Sequence, residues 1–506
     1  MKFSFRIFLF SILAVSVLAP GCKKALEIDP RQSIDADLAL TTKDGIIAAI
    51  TGVYDRLKSA RLYGRDLIAL PEALSDNGVA TNKSGRFNAE AANNSGAHFT
   101  TSVWQINYAG INDVNLILEA LPGITDATAA EKASWEGQLL FLRALYHFDL
   151  VKVYAYMPGA TVASQDRGGI PILLKGTKGS AEAQLLLPSR APVDEVYAQI
   201  VKDFQDANSK LPTTATDVSL ANKAAVQGLL SRVNLYRKNY TETKRWADSA
   251  ISTVGAARLS TASTYVADWR AQTHRETLFQ VRYTLTNEGI GVNESTQTSF
   301  TTLVTPGGTT TGGFGDLVPS ISLLNDLGIA LTGGNTLQNW TASNHAIATR
   351  SADVRNLLYE PGTTGRGARR IETTKFIGKN GAINLDNSPV IRIAEVYLNR
   401  AEAMATTGSA VFNATAALAD LNTILTNRGL TASALSGTAL YEEILRQRRI
   451  ELAFEGHRFF DLKRLGRDIV KGPHYNDVAF TDFRILPALP QREIDANTNL
   501  RQNFGY

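Results

Sequence analysis

Residues 222–254 read NKAAVQGLLSRVNLYRKNYTETKRWADSAISTV. Apolar residues recur at helical spacing across 222–238 and again across 241–254, and Lys238-Asn239-Tyr240 turns the chain between them. Leu235-Tyr236 precede the turn, and Trp246-Ala247 and Ala250-Ile251 follow it. Neither helix of such a hairpin can bury its inner stripe alone, so the pattern asks for neighbouring hairpins stacked against it. The arrangement returns at 389–407 and 413–428, where Ala394, Ala401, Ala403, Ala416 and Ala417 allow close helix approach.

The turn at 238–240 resembles that of a tetratricopeptide repeat. Outward from it, helical periodicity runs over 43–59, with Ile46, Ile47, Ile50, Val53, Tyr54 and Leu57 on one face, and over 102–121. It continues over 130–156, where Trp135, Leu139, Leu142, Leu145, Tyr146 and Leu150 recur at steps of three to four. Gly168-Gly169-Ile170-Pro171 breaks the pattern, and Pro192 opens a helix over 191–210 that stops before Pro212. Residues 258–386 differ in character: Thr284 to Gly334 hold ten glycines, Thr277 to Leu285 alternate like a strand, and Arg370 to Phe376 offer a partner strand. A loop rich in Asn, Gly, Ser and Ala spans 75–100, long enough to suspect function. The expected fold is mainly α: a tetratricopeptide-like helical-hairpin scaffold with a loop-rich half and a few short strands. One domain is expected over 43–506, its scaffold at 43–258 and 387–470 and its irregular ligand-binding half at about 75–100 and 259–386.

The N-terminus sets the compartment. Lys2 and Arg6 precede an apolar run from Ile7 to Ala19, then Pro20-Gly21 and the only cysteine, Cys22. Such a run is a secretory signal and is too short to span a hydrocarbon layer of about 30 Å as a helix. Ala19, Gly21 and Cys22 resemble a bacterial lipobox. That reading makes 1–21 a signal peptide cleaved before Cys22, puts lipid on Cys22 and leaves 22–42 as a polar tether. An ordinary signal peptide with an incidental cysteine is the alternative. A single cysteine permits no intrachain disulfide, so packing must supply stability. The net charge of +4 falls to +2 without Lys2 and Arg6, which gives no case for a polyanionic partner such as nucleic acid. The six histidines lack paired metal-ligand spacing, and no loop shows the alternating oxygen ligands of a calcium site, so no metal and no cofactor is expected.

Tyr441 to Gly466 is the most densely charged stretch. Arg446, Arg448, Arg449, Arg458, Lys463 and Arg464 alternate with Glu442, Glu443, Glu451, Glu455 and Asp461 at steps of three to four, which reads as intrahelical and tertiary ion pairs. Gly456 is expected to bend or divide the helix. Glu451 and Glu455 sit too close to arginine on one amphipathic helix to serve as a catalytic carboxylate pair.

RQRRIELAFEGHRFFDLKRLGR, residues 446–467, resembles the C-terminal signature of SusD/RagB-family nutrient-binding outer-membrane lipoproteins. Other blocks agree in order: Phe141 to Val151 with Gly168 to Pro171, Arg190 to Tyr197, Asn222 to Ala225, Ile391 to Ala403, and Leu489 to Asp495 with Asn499 to Tyr506. Together they span nearly the whole chain. The resemblance implies a non-enzymatic protein of the outer membrane of Bacteroidota, lipid-anchored at the extracellular face. It further implies a binder of glycans or, in the RagB branch, peptides, which delivers its ligand to a SusC-like TonB-dependent transporter.

Glycan sites stack pyranose rings on aromatic faces and hold hydroxyls with amide or guanidinium groups. In the irregular segments Arg86, Phe87 and Asn88, then Phe314, then Asn339 and Trp340 offer that mixture and are the expected ligand-binding residues; His98 and Phe99 lie at the end of the first loop. Trp104, Trp135, Trp246 and Trp269 fall in helical or adjoining patterns and are expected in the core. A surface glycoside hydrolase would instead require two carboxylates facing across a cleft, and no loop segment advertises them. A tetratricopeptide-type scaffold that binds only protein would bury Phe87 and Trp340.

Overall fold

The computed structural model describes residues 40–99, 101–179, 182, 185–213, 217–284, 288, 290–342, 344–379 and 381–506. The expected signal peptide, Cys22 and the tether up to residue 39 lie outside the described residues.

The first run of helices comprises α1 (Lys43–Arg56), α2 (Asp66–Leu74), α3 (Asn88–Ala91), α4 (Thr101–Ala120), α5 (Ala129–Tyr154), α6 (Val193–Lys210), α7 (Lys223–Tyr236) and α8 (Tyr240–Val254), with strand β1 (Gly78–Ala80) between α2 and α3. Local chemistry fixes the starts. A capping box between Thr128 and Glu131 opens α5, Asn222 caps α7, and Asn239 caps α8 directly after Lys238, whose φ of +57° turns the chain. From Leu139 to Tyr154 every residue of α5 is buried, as expected of a helix surrounded by others. Its buried charges are matched: Arg143 Nη2 and Nε donate to Asp203 at 2.7 and 2.8 Å.

Helices pack in chain order, α4 on α5, α5 on α6, α6 on α7 and α7 on α8. The next layer against α8 is α13 (Ile393–Ala405), which packs in turn on α14 (Ala414–Asn427) and α15 (Gly437–Leu452). Residues 255–392 therefore enter between two adjacent layers. They hold α9 (Tyr265–Arg270), β2 (Thr277–Val281), α10 (Thr296–Phe300), β3 (Leu317–Pro319), α11 (Ile321–Asp326), β4 (Ile329–Leu331), α12 (Leu337–Ala342), β5 (Ile347–Arg350), β6 (Tyr359–Pro361), β7 (Ile371–Thr373) and β8 (Ser388–Arg392). Helices α16 (Arg458–Leu465) and α17 (Gln491–Ala496) follow the scaffold. The fold is mainly helical, and its strands form two-stranded antiparallel ladders, β1 with β3, β2 with β8, β4 with β5 and β6 with β7.

The pairing departs from the sequence reading. Strand β2 takes β8 as its partner, Thr277 opposite Arg392 and Val281 opposite Ser388, while Ile371–Thr373 pairs with β6. Alternation marks a strand without naming its mate. All five residues of β2 are buried, because Phe279 packs on Phe141 and Tyr54 while the strand also lies against α7. The β2–β8 ladder clasps the two ends of the inserted half where it meets the scaffold.

The charged C-terminal stretch divides at Gly456, as its glycine suggested. Its φ is +85°, and a Cβ there would stand 2.2 Å from the carbonyl oxygen of Leu67. Arg446 pairs along its own helix with Glu443 and Arg464 along its own with Asp461, while Arg448 to Asp461, Arg449 to Asp326 and Arg458 to Asp76 bridge between elements. Glu451 and Glu455 serve as acceptors for Arg392, Arg428 and Lys375 in the interior.

Candidate functional site

Strand β1 joins the first loop excursion to the inserted half. Its ladder with β3 sets Val79 opposite Val318, and Thr81 N extends it by donating to Asp316 O at 2.8 Å. Beside this ladder a cavity of about 280 Å³ opens, lined by Thr81, Leu337, Trp340, Arg370, His474 and Tyr475 among others. The Trp340 ring lies between two imidazoles, 4.6 Å from His345 and 4.9 Å from His474. His345 Nε2 donates to Trp340 O at 3.0 Å, and His474 Nε2 accepts from Ile321 N at 3.2 Å. Burial pulls both imidazoles down to about 4, with a smaller contribution at His345 from Arg370 and Lys83, so both are neutral at physiological pH. The Tyr475 hydroxyl oxygen accepts from Ala80 N at 3.1 Å.

Lys471 holds the segment that brings His474 and Tyr475 here. Its buried ammonium donates to Ala73 O at 2.9 Å, Ala91 O at 2.6 Å and Asn93 Oδ1 at 2.5 Å, while Asp477 accepts from the Lys471 and Gly472 amides. Burial lowers the Lys471 pKa to about 7.

Along the ladder from the cavity, Asp316 accepts from Arg86 Nε at 2.9 Å. The Arg86 guanidinium lies 4.8 Å from the centre of the Phe314 ring, and that of Arg366 lies 4.0 Å from it. The structure thus brings Arg86 and Phe314 together, but guanidinium groups already cover the ring. Asn88, at the start of α3, donates to Asn82 Oδ1 at 2.6 Å. Phe87 has φ +63°, and this left-handed turn sends its ring into the core at 5% exposure. Asn339 spends its amide on Thr332 O and Gly334 O, closing the turn before α12. Trp340 is also 5% exposed but contributes to the cavity wall. Phe87 and Trp340 are therefore both buried, the condition set for the protein-binding scaffold. His98 and Phe99 pack on Phe459 and Phe460 in the interior.

Sequence reasoning missed Arg366, Arg370, His474 and Tyr475. The His474-Tyr475 pair follows Gly472-Pro473 outside any helical stripe, the same sign that singled out Phe314, but it lies far along the chain from the irregular segments searched. A second cavity, of about 480 Å³, lies between α4 and α17 against Trp104, Tyr108, Pro171, Leu187, Arg492 and Leu500. Its lining is mostly hydrocarbon, and Arg492 is paired with Glu493 at 2.9 Å. Among the described residues no group of three or more His, Cys, Asp or Glu could hold a metal, and no helix is long and apolar enough to cross a membrane.

Comparison with known proteins accounts for this architecture. Residues 26–235 match a SusD-like family described as starch-binding and associating with the outer membrane, and residues 344–506 match the SusD family. The SusD-like protein P2 of Formosa agariphila is 24% identical over 539 residues, covering 98% of each chain. The starch-binding protein SusD of Bacteroides thetaiotaomicron is 23% identical over 459 residues, 78% of this chain and 76% of its own. A solved SusD superfamily protein from Bacteroides thetaiotaomicron shares the fold at a TM-score of 0.76 and 25% identity, covering 91% of this chain and 99% of that one. The first match ends in α7, and the second takes in the last part of the inserted half, from just before β5, together with the returning scaffold. The chain belongs to the SusD/RagB family.

Proposed function

We propose that this protein is a lipid-anchored, surface-exposed binding protein that captures an oligosaccharide and passes it to a SusC-like TonB-dependent transporter. The supporting observation is the cavity that sets the Trp340 indole beside Arg370, His474 and Tyr475, an aromatic wall edged by groups that hydrogen-bond hydroxyls. Family membership supplies the context, including a starch-binding relative. Arg86, Asn88 and Phe314 extend the same surface along the β1–β3 ladder, Asn339 shapes the turn that presents Trp340, and Phe87 anchors the loop from within. Lipid on Cys22 would supply the anchor. The lining of the cavity contains no Asp or Glu, which favours binding without turnover.

A glycan and peptide array with the wild-type chain and Trp340→Ala tests the reading. Saccharide binding without product formation, weakened in the variant, supports it; turnover of the ligand by pure protein would overturn it. Binding to peptides alone would favour the RagB-like reading. The burial of Phe87 and Trp340 favours the second reading, a scaffold that binds only protein, in which alanine at either position changes stability and no saccharide binds.

A further inference from the structure

We infer that the saccharide taken by this site carries negative charge, as a carboxylate or a sulfate on the sugar. The inference rests on the binding reading above and names the ligand class of the same site.

The phenol, imidazole and guanidinium lining the Trp340 cavity are donors, while the hydroxyls of Thr81 and Thr341 spend their protons on Gly315 O and Leu337 O and leave only weak acceptors. The Tyr475 oxygen already accepts from Ala80 N, so its own O–H remains to donate. His474 Nε2 accepts from Ile321 N, which places the proton of the neutral ring on Nδ1. Arg370 adds a guanidinium, which can only donate. Neutral sugar hydroxyls ask for donors and acceptors together, whereas carboxylate and sulfate oxygens ask only for donors, and charge-assisted bonds to guanidinium are the stronger ones. A carboxylate side chain that would accept from a sugar hydroxyl is missing from the wall.

The basic character continues past Arg370. Its neighbour Arg369 lines a second, open cavity of about 610 Å³, formed against Ala346 to Arg350 of the β5 edge and Pro361. This lining also contains no Asp or Glu. The Arg350 guanidinium donates to the carbonyls of Asn356 and Tyr359, the exposed Arg366 stacks on Phe314, and Arg369 Nε is buried without a partner. Among the described residues none of these three arginines makes an ion pair with a carboxylate. Glu360 acts on Arg350 electrostatically, but its carboxylate accepts from Gly307 N. Lys83 and Arg86, by contrast, are already neutralised by Glu372 and Asp316. The consecutive residues Arg369 and Arg370 thus each line a cavity, in a chain whose overall charge is close to balanced. The Arg369 guanidinium, whose Nε is buried without a partner, gains from an anion brought by the ligand.

The test is calorimetric titration of the full chain with two matched polymer pairs: polygalacturonate against its fully methyl-esterified form, and a sulfated carrageenan against its desulfated form. The charged member of at least one pair is expected to bind on the order of tenfold tighter than its neutral counterpart. That affinity should fall as salt rises, since screening weakens charge contacts at exposed sites. Arg370→Gln is expected to lose about tenfold toward the charged polymer, and Arg370→Lys to retain part of it. Should Arg370→Gln fail to fold, the matched pairs and salt series on the wild-type chain decide the matter alone. Equal affinity for both members of each pair, or binding confined to neutral glycans on the array, overturns this inference and leaves the glycan-binding reading standing. Failure to bind any saccharide overturns both.

Discussion

The guanidinium of Arg392, at the end of β8, stands 2.6 Å from the carboxylate of Glu276, just before β2, and both side chains are buried. Arg392 also reaches Glu455 at 2.7 Å and Glu451 at 3.2 Å, while Arg428 bonds Glu276 at 2.7 Å and Glu451 at 2.9 Å. These pairs lie beneath the ladder that clasps the inserted half to the scaffold. Removing one member strands its partners as buried charges, so Arg392→Met is expected to cost about 3 to 5 kcal/mol. Chemical denaturation monitored by circular dichroism measures this; a loss below about 1 kcal/mol would show that the network is not what holds the clasp.

Acid should unlock a second set of pairs. Burial alone would raise Asp461, but Arg448 and Arg464 outweigh it and hold its pKa at about 2; Arg458 and Arg449 do the same for Asp76. Both carboxyls titrate below their ordinary value of 3.8, so the unfolded chain binds more protons between pH 3.8 and about 2. Their stabilisation is complete above pH 3.8 and is lost as pH falls through about 2, about 2 kcal/mol for each group. Urea midpoints measured from pH 5 down to about 2 should fall in the wild type. In the Asp461→Asn variant the curve should be shallower from a lower starting stability.

Lys471 couples the fold to the cavity. Lys471→Met would leave Ala73 O, Ala91 O and Asn93 Oδ1 without their donor and free the segment that bears His474 and Tyr475. The expected result is a loss of about 2 to 3 kcal/mol in stability together with weaker ligand binding. Hydrogen exchange should show the change concentrated at 471–478. Uniform loss of protection across the chain would contradict a local tether.

Phe87 and Trp340 should separate although they are equally buried. Phe87→Ala removes a core ring and is expected to lower stability by about 3 kcal/mol with little change in saccharide affinity. Trp340→Ala should lower both, since the indole packs inward and also walls the cavity. Thermal melts and titrations on the two variants give the comparison. An affinity loss in Phe87→Ala as large as in Trp340→Ala would place Phe87 in the ligand surface after all.

What could be read from the residues follows the range of the interactions involved. Helices α4, α5, α7 and α8 were legible because each writes its own 3.6-residue stripe. The arginine-rich segment was legible as ion pairs through its charge alternation, but not as bridges to Asp76 or Asp326, which lie far back in the chain. Strand β2 announced itself, while its partner β8 did not, since nothing local encodes a pairing across the whole inserted half. Arg86 and Phe314 were found as a mixture of residue types and proved to be in contact. Phe87 was read as a platform because composition does not reveal a left-handed φ, and that single turn decides which side of the loop its ring occupies. The meeting of His474 and Tyr475 with Trp340 depends on the Lys471 tether, a three-dimensional fact with no periodic signature.

The insertion between α8 and α13 also bears on the order in which the molecule can assemble. Helix α8 lies against a neighbour that leaves the ribosome only after residues 255–392 have been made. Its inner stripe therefore stays without its final cover while residues 255–392 are being made. Proteins dominated by contacts distant in sequence fold slowly and expose sticky surface while they wait. The 222–254 hairpin is thus the surface left waiting until Arg392 closes on Glu276.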